Sequence, residues 1–585
     1  YELVGRHGKL SDFANGHIFF GFHKMKDGWW YREWAPAAEE VYLTGDMVDW
    51  KWLELKLTPV GNGVFEIFLP GTGFLYDGCH VKTIIRHKGQ LLERIPLYIK
   101  RVEQDPRDAS WCGVIADEPE YKWKRKRFKM PKIPYIYECH IGMAQEKEGI
   151  GTYQEFIDNV LPRVKALGYN TIQLMAIMEH PYYGSFGYQV SSFFAPCSRY
   201  GTANELKAFI DAAHQQGIAV LLDLVHSHAV RNTKEGINEF DGSEYQFFHK
   251  GPRGEHPTWG TKLFNYNKNE VIHFLLSNLK YWLTEYRFDG FRFDAAKHIE
   301  TDWDADGTKS DFWKNVLGDV TTHAQESRGI TPYYYGEMLG DAGGGLSMEA
   351  YTQYMSVTDP GTSDNIRNGV CNGNASAAAS SGVSYGVSKS RIVQWTESHD
   401  NHKDHGTSGI SENNINKTWA IIGARDEICG MYLARPEDMN TTMMGDADFT
   451  SWSYPEVKAV NNFKNHFVGQ SEYLSSYNKL ACVERGNSGI VIVNTGGSYY
   501  NGMSAPVHTM ASGTYKDAIT GNTFKVSDGY ISGDIGDTGI AVVYDVDNSG
   551  VFTKGNVTDV SVSGTFNGWD TSADKMIAVE GDTAA

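Results

Sequence analysis

Four short strings hold the residues of this chain best suited to acid–base chemistry. They are Asp223-Leu224-Val225-His226-Ser227-His228, Gly290-Phe291-Arg292-Phe293-Asp294, Gly336-Glu337 and Glu397-Ser398-His399-Asp400. Cleaving an acetal with retention needs a carboxylate nucleophile and a protonated carboxylic acid about 5–5.5 Å apart. One must stay ionised while the other has its pKa raised. Asp294, Glu337 and Asp400 supply three carboxylates. Arg292 lies two residues before Asp294, so on a strand both side chains point to one side. A guanidinium there is expected to hold Asp294 ionised. Asp400 is suited to grip ring hydroxyls and steady oxocarbenium charge, and His228 and His399 to donate to oxygens of the same ring. Taken singly, an Asp at a strand end is commonly a helix N-cap and a lone His is commonly a packed side chain. The joint placement of the set on four strand ends is the specific signal.

That placement follows from the pattern around the strings. Strand-like runs at Tyr135–His140, Asn170–Met175, Ile218–Asp223, Gly290–Asp294, Tyr333–Glu337, Arg391–Glu397 and Glu427–Leu433 alternate with helical periodicity. The helical stretches include Leu206–Gln216, Val271–Tyr286, Phe312–Gln325 and Ile415–Ala424. This alternation predicts βα units around a parallel sheet. Its length fits an α/β fold of the (β/α)8 TIM-barrel kind, whose polar strand ends gather at one face. The barrel is expected over 135–465, with its largest insertion at 229–268. Residues 1–105 alternate short apolar runs with turns and predict a β-sandwich, joined through a Pro- and Lys-rich linker at 106–134. Residues 466–545 predict a C-terminal all-β domain, and 546–585 a Gly-, Asp- and Ser-rich tail.

The 585 residues exceed one compact core, so about three domains are expected. A net charge of -18 argues against nucleic acid or an anionic membrane as partner. The one basic run, Lys122 to Lys129, reads as solvated linker rather than docking patch. No apolar run reaches transmembrane length, and no signal peptide is evident. The start at Tyr1, without Met, reads as a processed or excised form. The seven Cys are scattered without a CxxC pair, which predicts free buried thiols and leans toward a reducing compartment. Nothing in the sequence fixes location beyond a soluble chain, cytoplasmic or secreted, or its oligomeric state. The aromatic share of 13% suits large cores and, in part, stacking platforms for flat ligands such as sugar rings.

With these residues in place, the barrel region resembles the α-amylase family of glycoside hydrolases (family 13, clan H) over roughly 135–545. The resemblance implies Asp294 as nucleophile, Glu337 as general acid/base and Asp400 as transition-state stabiliser. It implies that Arg292, His228 and His399 line the donor-sugar site and that Tyr188, in Phe186-Gly187-Tyr188-Gln189, stacks on that sugar. Lys297 and His298 would bind leaving glucose units. The resemblance is not uniform. Residues 1–290 resemble a 1,4-α-glucan branching enzyme, through Tyr137-Glu138-Cys139-His140-Ile141-Gly142-Met143 and Met175-Ala176-Ile177-Met178-Glu179-His180, behind a glycogen-binding-like sandwich. From about 291 the chain resembles a bacterial α-amylase, through Asp294-Ala295-Ala296-Lys297-His298 and Glu337-Met338-Leu339. A hybrid joined in the fourth strand is the expectation. The tail string Val560–Asp570 resembles the opening strands of a starch-binding sandwich, cut short.

The resemblance implies an α-1,4-glucan partner and no organic cofactor. The leading expectation is hydrolysis of starch or glycogen of the α-amylase type. The alternatives are chain transfer to a 6-hydroxyl by a branching enzyme, and glucan binding without turnover. No metal site is expected. Related amylases often place a calcium-binding Asn before the third-strand His, and here that position holds Ser227. Calcium needs six to eight oxygen ligands.

Overall fold

The computed structural model describes residues 14–545 except 147, 301–311, 340–345, 381–382, 384–385 and 436–449. The expected tail at 546–585 lies outside the described residues.

At the centre is a closed barrel of eight parallel strands. They are β1 (Tyr135–Cys139), β2 (Thr171–Leu174), β3 (Ala219–Leu224), β4 (Gly290–Phe293), β5 (Tyr333–Gly336), β6 (Ser356–Thr358), β7 (Ile392–Trp395) and β8 (Cys429–Leu433). β1 pairs with both β2 and β8, which closes the ring. β6 is the strand the sequence pattern did not show. It has three residues, two of them hydroxylic, and no run long enough to alternate.

Strand alternation decides what faces the lumen. Phe291 and Phe293 of β4 pack with the outer helices, so Gly290 and Arg292 face inward. In β3, Val220, Leu222 and Leu224 pack outward, leaving Leu221 and Asp223 inside. Ile136, Leu221, Tyr335, Val393, Trp395, Cys429 and Met431 fill the lower lumen as a separate apolar cluster. The polar inward residues are stacked above it. Register then aligns Asp223 with Arg292 across β3 and β4, and Glu138 with Gln173 across β1 and β2.

Two of the outer helices are α1 (Ala203–Gln215) and α2 (Asn269–Glu285). Thr202 caps α1 in a capping box with Glu205, which satisfies two N-terminal N–H groups. Gly217 ends the turn at φ +76°, a conformation that favours glycine.

The N-terminal sandwich has one sheet of four strands and one of six. The second sheet includes Trp111–Val114, which pairs with His80–His87 and Val102–Gln104. The sandwich therefore runs past the boundary expected at 105, because this buried strand follows a turn instead of a linker. The insertion after β3 is not structureless. His228–Val230, Glu255–His256 and Thr261–Leu263 make a small antiparallel sheet. Its outer loop is bonded to the sandwich. Asp241 accepts from the Ala37 N–H at 2.9 Å, Gln246 donates to the Trp34 carbonyl at 2.7 Å, and Arg94 donates to the Glu239 carbonyl. Eight antiparallel strands between Glu472 and Tyr544 form the C-terminal domain. The seven Cys are free; six are buried and Cys371 is exposed. No described helix is long and apolar enough to cross a membrane.

Candidate active site

The upper lumen is organised around one guanidinium. Arg292 is buried and its Nη1 lies 2.9 and 3.0 Å from the two oxygens of Asp223 and 2.7 Å from Asp294 Oδ1. Its Nη2 lies 2.9 Å from Glu337 Oε1. β3, β4 and β5 each deliver one carboxylate to it. Asp294 and Glu337 follow the last residues of β4 and β5, and the Ala295 N–H donates to Glu337 Oε2 at 3.0 Å. Bonds to two nitrogens of a single planar group hold the two carboxyls at short range.

Arg292 does touch Asp294, but it is not dedicated to it. Burial raises the Asp294 pKa to about 6 against the pull of Arg292, and the charges of Asp223 and Asp400 add to the rise. Burial raises Glu337 to about 7, again opposed by Arg292 and assisted by Asp294 and Asp400. The expectation that The order still separates the pair, with Glu337 the more easily protonated.

The two histidines differ. Burial lowers His228 to about 4, so it is neutral near pH 7. Its Nε2–H donates to the Tyr188 carbonyl at 2.8 Å, and Nδ1 accepts from Ser227 Oγ at 2.8 Å. Neither nitrogen has a hydrogen to offer a ring oxygen, which corrects the donor role expected of His228. It lies 4.0 Å from Asp294 Oδ2 and fixes the Tyr188 backbone beside that carboxylate. His399 is the opposite case. Burial lowers its pKa, but Asp400 and Glu138 outweigh burial and carry it to about 9. It is an imidazolium near neutral pH, 3.0 Å from Glu138 and 3.7 Å from Asp400.

Tyr188 stacks on His399 with centroids 4.8 Å apart and donates its hydroxyl to Asp223 at 2.7 Å. The preceding turn sets it in place. Phe186 and Gly187 have φ of 53° and 92°, and a Cβ at Gly187 would run into the Ala176 carbonyl oxygen. Asp400 begins the short helix His399–Lys403, which Ser398 and Asn401 cap. Its side chain is 48% exposed, at the mouth of the site and not bonded to Arg292. Burial raises its pKa, yet His399 and Arg292 lower it overall. His298 lies edge-on to His256 and Trp259 at 5.3 and 5.1 Å, and Lys297 is half-buried on the same short helix.

Sequence reasoning missed three contributors. Glu138, in mid-strand β1, accepts from His399 Nδ1 at 3.0 Å and from Gln173 Nε2 at 3.2 Å. Trp259 and His256, stacked at 3.6 Å, come from the insertion and bring an aromatic rim within 5.1 Å of His228. The available signal was the His256-Pro257-Thr258-Trp259 string in a long polar insertion. Glu138→Gln is expected to lower the His399 pKa toward its ordinary value and to cut turnover by about tenfold, as one partner of a buried charged bond is lost. Titration of His399 by NMR, together with kcat, checks this.

Glu179, His180 and Cys197 are buried with ligand atoms within 4.8 Å of one another, a spacing that could hold a metal ion. The Arg199 guanidinium is already there, 3.4 Å from Glu179 and 3.8 Å from the Cys197 sulfur, and its charge opposes a metal cation.

The barrel, its strand-end carboxylates and the sandwich define the class of this protein. Residues 143–331 match the α-amylase catalytic domain and residues 19–98 match carbohydrate-binding module 48, the isoamylase N-terminal domain. The chain thus holds an α-amylase-type catalytic domain behind a module-48 sandwich. More particularly, it is 47% identical over 303 residues to the 1,4-alpha-glucan-branching enzyme of Equus caballus, and 48% identical over 301 residues to that of Dictyostelium discoideum. Each alignment takes in 50% of this chain, and 43% and 44% of the relative. The chain therefore spans under half the length of these curated relatives. A pullulanase from Anoxybacillus sp. LM18-11, solved with maltotriose, shares the fold with a TM-score of 0.68. It is 17% identical over 92% of this chain and 87% of its own.

Proposed function

We propose that the chain cleaves α-1,4-glucosidic bonds through a covalent glycosyl–Asp294 intermediate and passes the released chain to a glucan 6-hydroxyl. Asp294 attacks the anomeric carbon while Glu337, protonated, gives its proton to the departing glycosidic oxygen. The resulting Glu337 carboxylate then takes the proton of the acceptor hydroxyl as the sugar leaves Asp294. Arg292 orients both carboxyls, and Tyr188 and the His399 imidazolium hold the donor ring. Asp400 at the mouth binds its hydroxyls.

The cleavage half of this reading rests on Arg292 bonding Asp294 and Glu337 together. The transfer half rests on the 47–48% identity to branching enzymes, which favours transfer over the hydrolysis expected from sequence. Hydrolysis remains the second reading, carried by the amylase-like strings around Lys297-His298 and Glu337-Met338. Incubation with amylose separates them. Transfer lowers iodine colour at constant reducing ends, whereas steadily rising reducing ends would establish hydrolysis. Loss of neither signal would mean binding without turnover.

The pH profile should be bell-shaped with its maximum between about 6 and about 7. Below it the Asp294 nucleophile is protonated; above it the Glu337 acid has lost its proton. An initial-rate series from pH 4 to 9 checks both limbs, and Glu337→Gln should remove the alkaline one from the residual rate.

A further inference from the structure

The basic run Lys122–Lys129 is not a loose linker. The N–H groups of Lys124 and Arg125 each donate to Asp211 at 2.8 Å, and the Tyr121 hydroxyl joins them at 3.0 Å. Phe128 stacks on His214 at 4.3 Å with the rings 8° from parallel. The Arg287 guanidinium lies 4.4 Å over Trp123. The backbone is thus pinned at both ends of the run across α1. Its six Lys and Arg side chains are held together in spite of their repulsion.

This run forms one wall of an open groove of about 510 Å³. Arg125, Lys126 and Arg127 face Arg287, Arg328 and Glu326 across it. Among the described residues, no ion pair engages Arg125, Lys126, Arg127 or Arg287. The two buried carboxylates nearby are already used. Asp211 is bonded to the run's own N–H groups, and Asp289 to His214 at 2.7 Å and Arg328 at 3.2 Å. Four uncompensated cations in a concavity focus a positive field, on a chain whose net charge is -18. Planar guanidinium forks match phosphate oxygens. The far wall is different. Glu326 and the carbonyl end of the helix Phe312–Arg328 form an acceptor edge, suited to hydroxyl donors and hostile to a second anion. The groove lies at the N-terminal ends of β4 and β5, on the opposite side of the barrel from Arg292.

We infer that this groove is a second ligand site that takes a hexose carrying a phosphate monoester, the phosphate against Arg125, Arg127 and Arg287 and the sugar hydroxyls toward Glu326. Its volume suits one such molecule. The phosphate could belong to a free hexose phosphate or to a phosphorylated glucose unit of a glucan.

Calorimetric titration of the full chain with glucose 6-phosphate tests this, with glucose and inorganic phosphate as comparators. The expected result is saturable 1:1 binding that weakens with salt, exceeds that of either comparator, and falls at least about tenfold in Arg125→Ala/Arg127→Ala. Both side chains are exposed, so the variant should melt with the wild type. Arg287→Ala should show the same loss. Gel retardation in phosphorylated against dephosphorylated dextrin identifies the source. Retardation by phosphorylated dextrin that glucose 6-phosphate competes away assigns the polymer; calorimetric binding without it assigns the free sugar phosphate. The inference is overturned by absence of saturable binding, by binding that both variants retain, or by inorganic phosphate or a nucleic acid binding as tightly as glucose 6-phosphate.

Discussion

Asp294→Asn is expected to abolish turnover of amylose, by about 10⁴-fold or more, while leaving the fold intact. The amide is nearly isosteric and can still contact Arg292 through its oxygen, but it cannot form the glycosyl ester. Loss of an essential nucleophile removes the whole two-step route and not a share of it. The variant should therefore retain glucan affinity, read by gel retardation, and lose both falling iodine colour and rising reducing ends. Near-normal activity in either assay would show that another group attacks the anomeric carbon.

Arg292→Gln should have the largest effect on stability. It leaves three buried carboxylates, Asp223, Asp294 and Glu337, without their shared cation. Breaking a buried ion pair from one side costs about 3–5 kcal/mol. The sign of the pH dependence follows from the direction of the shifts. In the wild type these carboxyls already sit above their ordinary values, so they favour the fold most at low pH and lose that contribution as pH rises through about 6 to about 7. Arg292 is the term that lowers each of them. Removing it raises all three further, so the variant's deficit should be greatest above pH 7 and shrink toward pH 4, where the carboxyls are neutral folded or unfolded. Thermal melting of both proteins from pH 4 to 8 checks this. A deficit that did not change with pH would mean that Arg292 contributes packing and little charge.

Much of this site could be read in the sequence because barrel geometry converts local strings into neighbours. Arg292 and Asp294 share a side by strand alternation alone, and Glu337 follows a run of aromatic strand residues. What escaped the sequence needed closure of the ring or a tertiary partner. Glu138 looks like one more residue of a strand until β1 pairs with β8 and brings the loop after β7, with His399, against it. The three residues of β6 are too few and too polar to show periodicity. His228 was correctly placed near Asp294, but its hydrogen-bond partners are a backbone carbonyl and a neighbouring hydroxyl, which no spacing reveals. The strand Trp111–Val114 lies within a stretch whose composition suggests a linker, and only its partners make it part of a sheet. The basic run was legible as charge, while its anchoring through Asp211, 82 residues beyond Lys129, was not.

The insertion after β3 ties these parts together. Near one end, Asp241 and Gln246 are bonded to the backbone of the sandwich; near the other, His256 and Trp259 stand beside His228. The sandwich is thus part of the scaffolding of the cleft as well as a neighbouring module. A minimal catalytic fragment cut at the linker would strip the Ala37 and Trp34 partners from Asp241 and Gln246. The slackened loop would carry Trp259 with it. For an engineer, the smallest working unit of this protein begins before the barrel does.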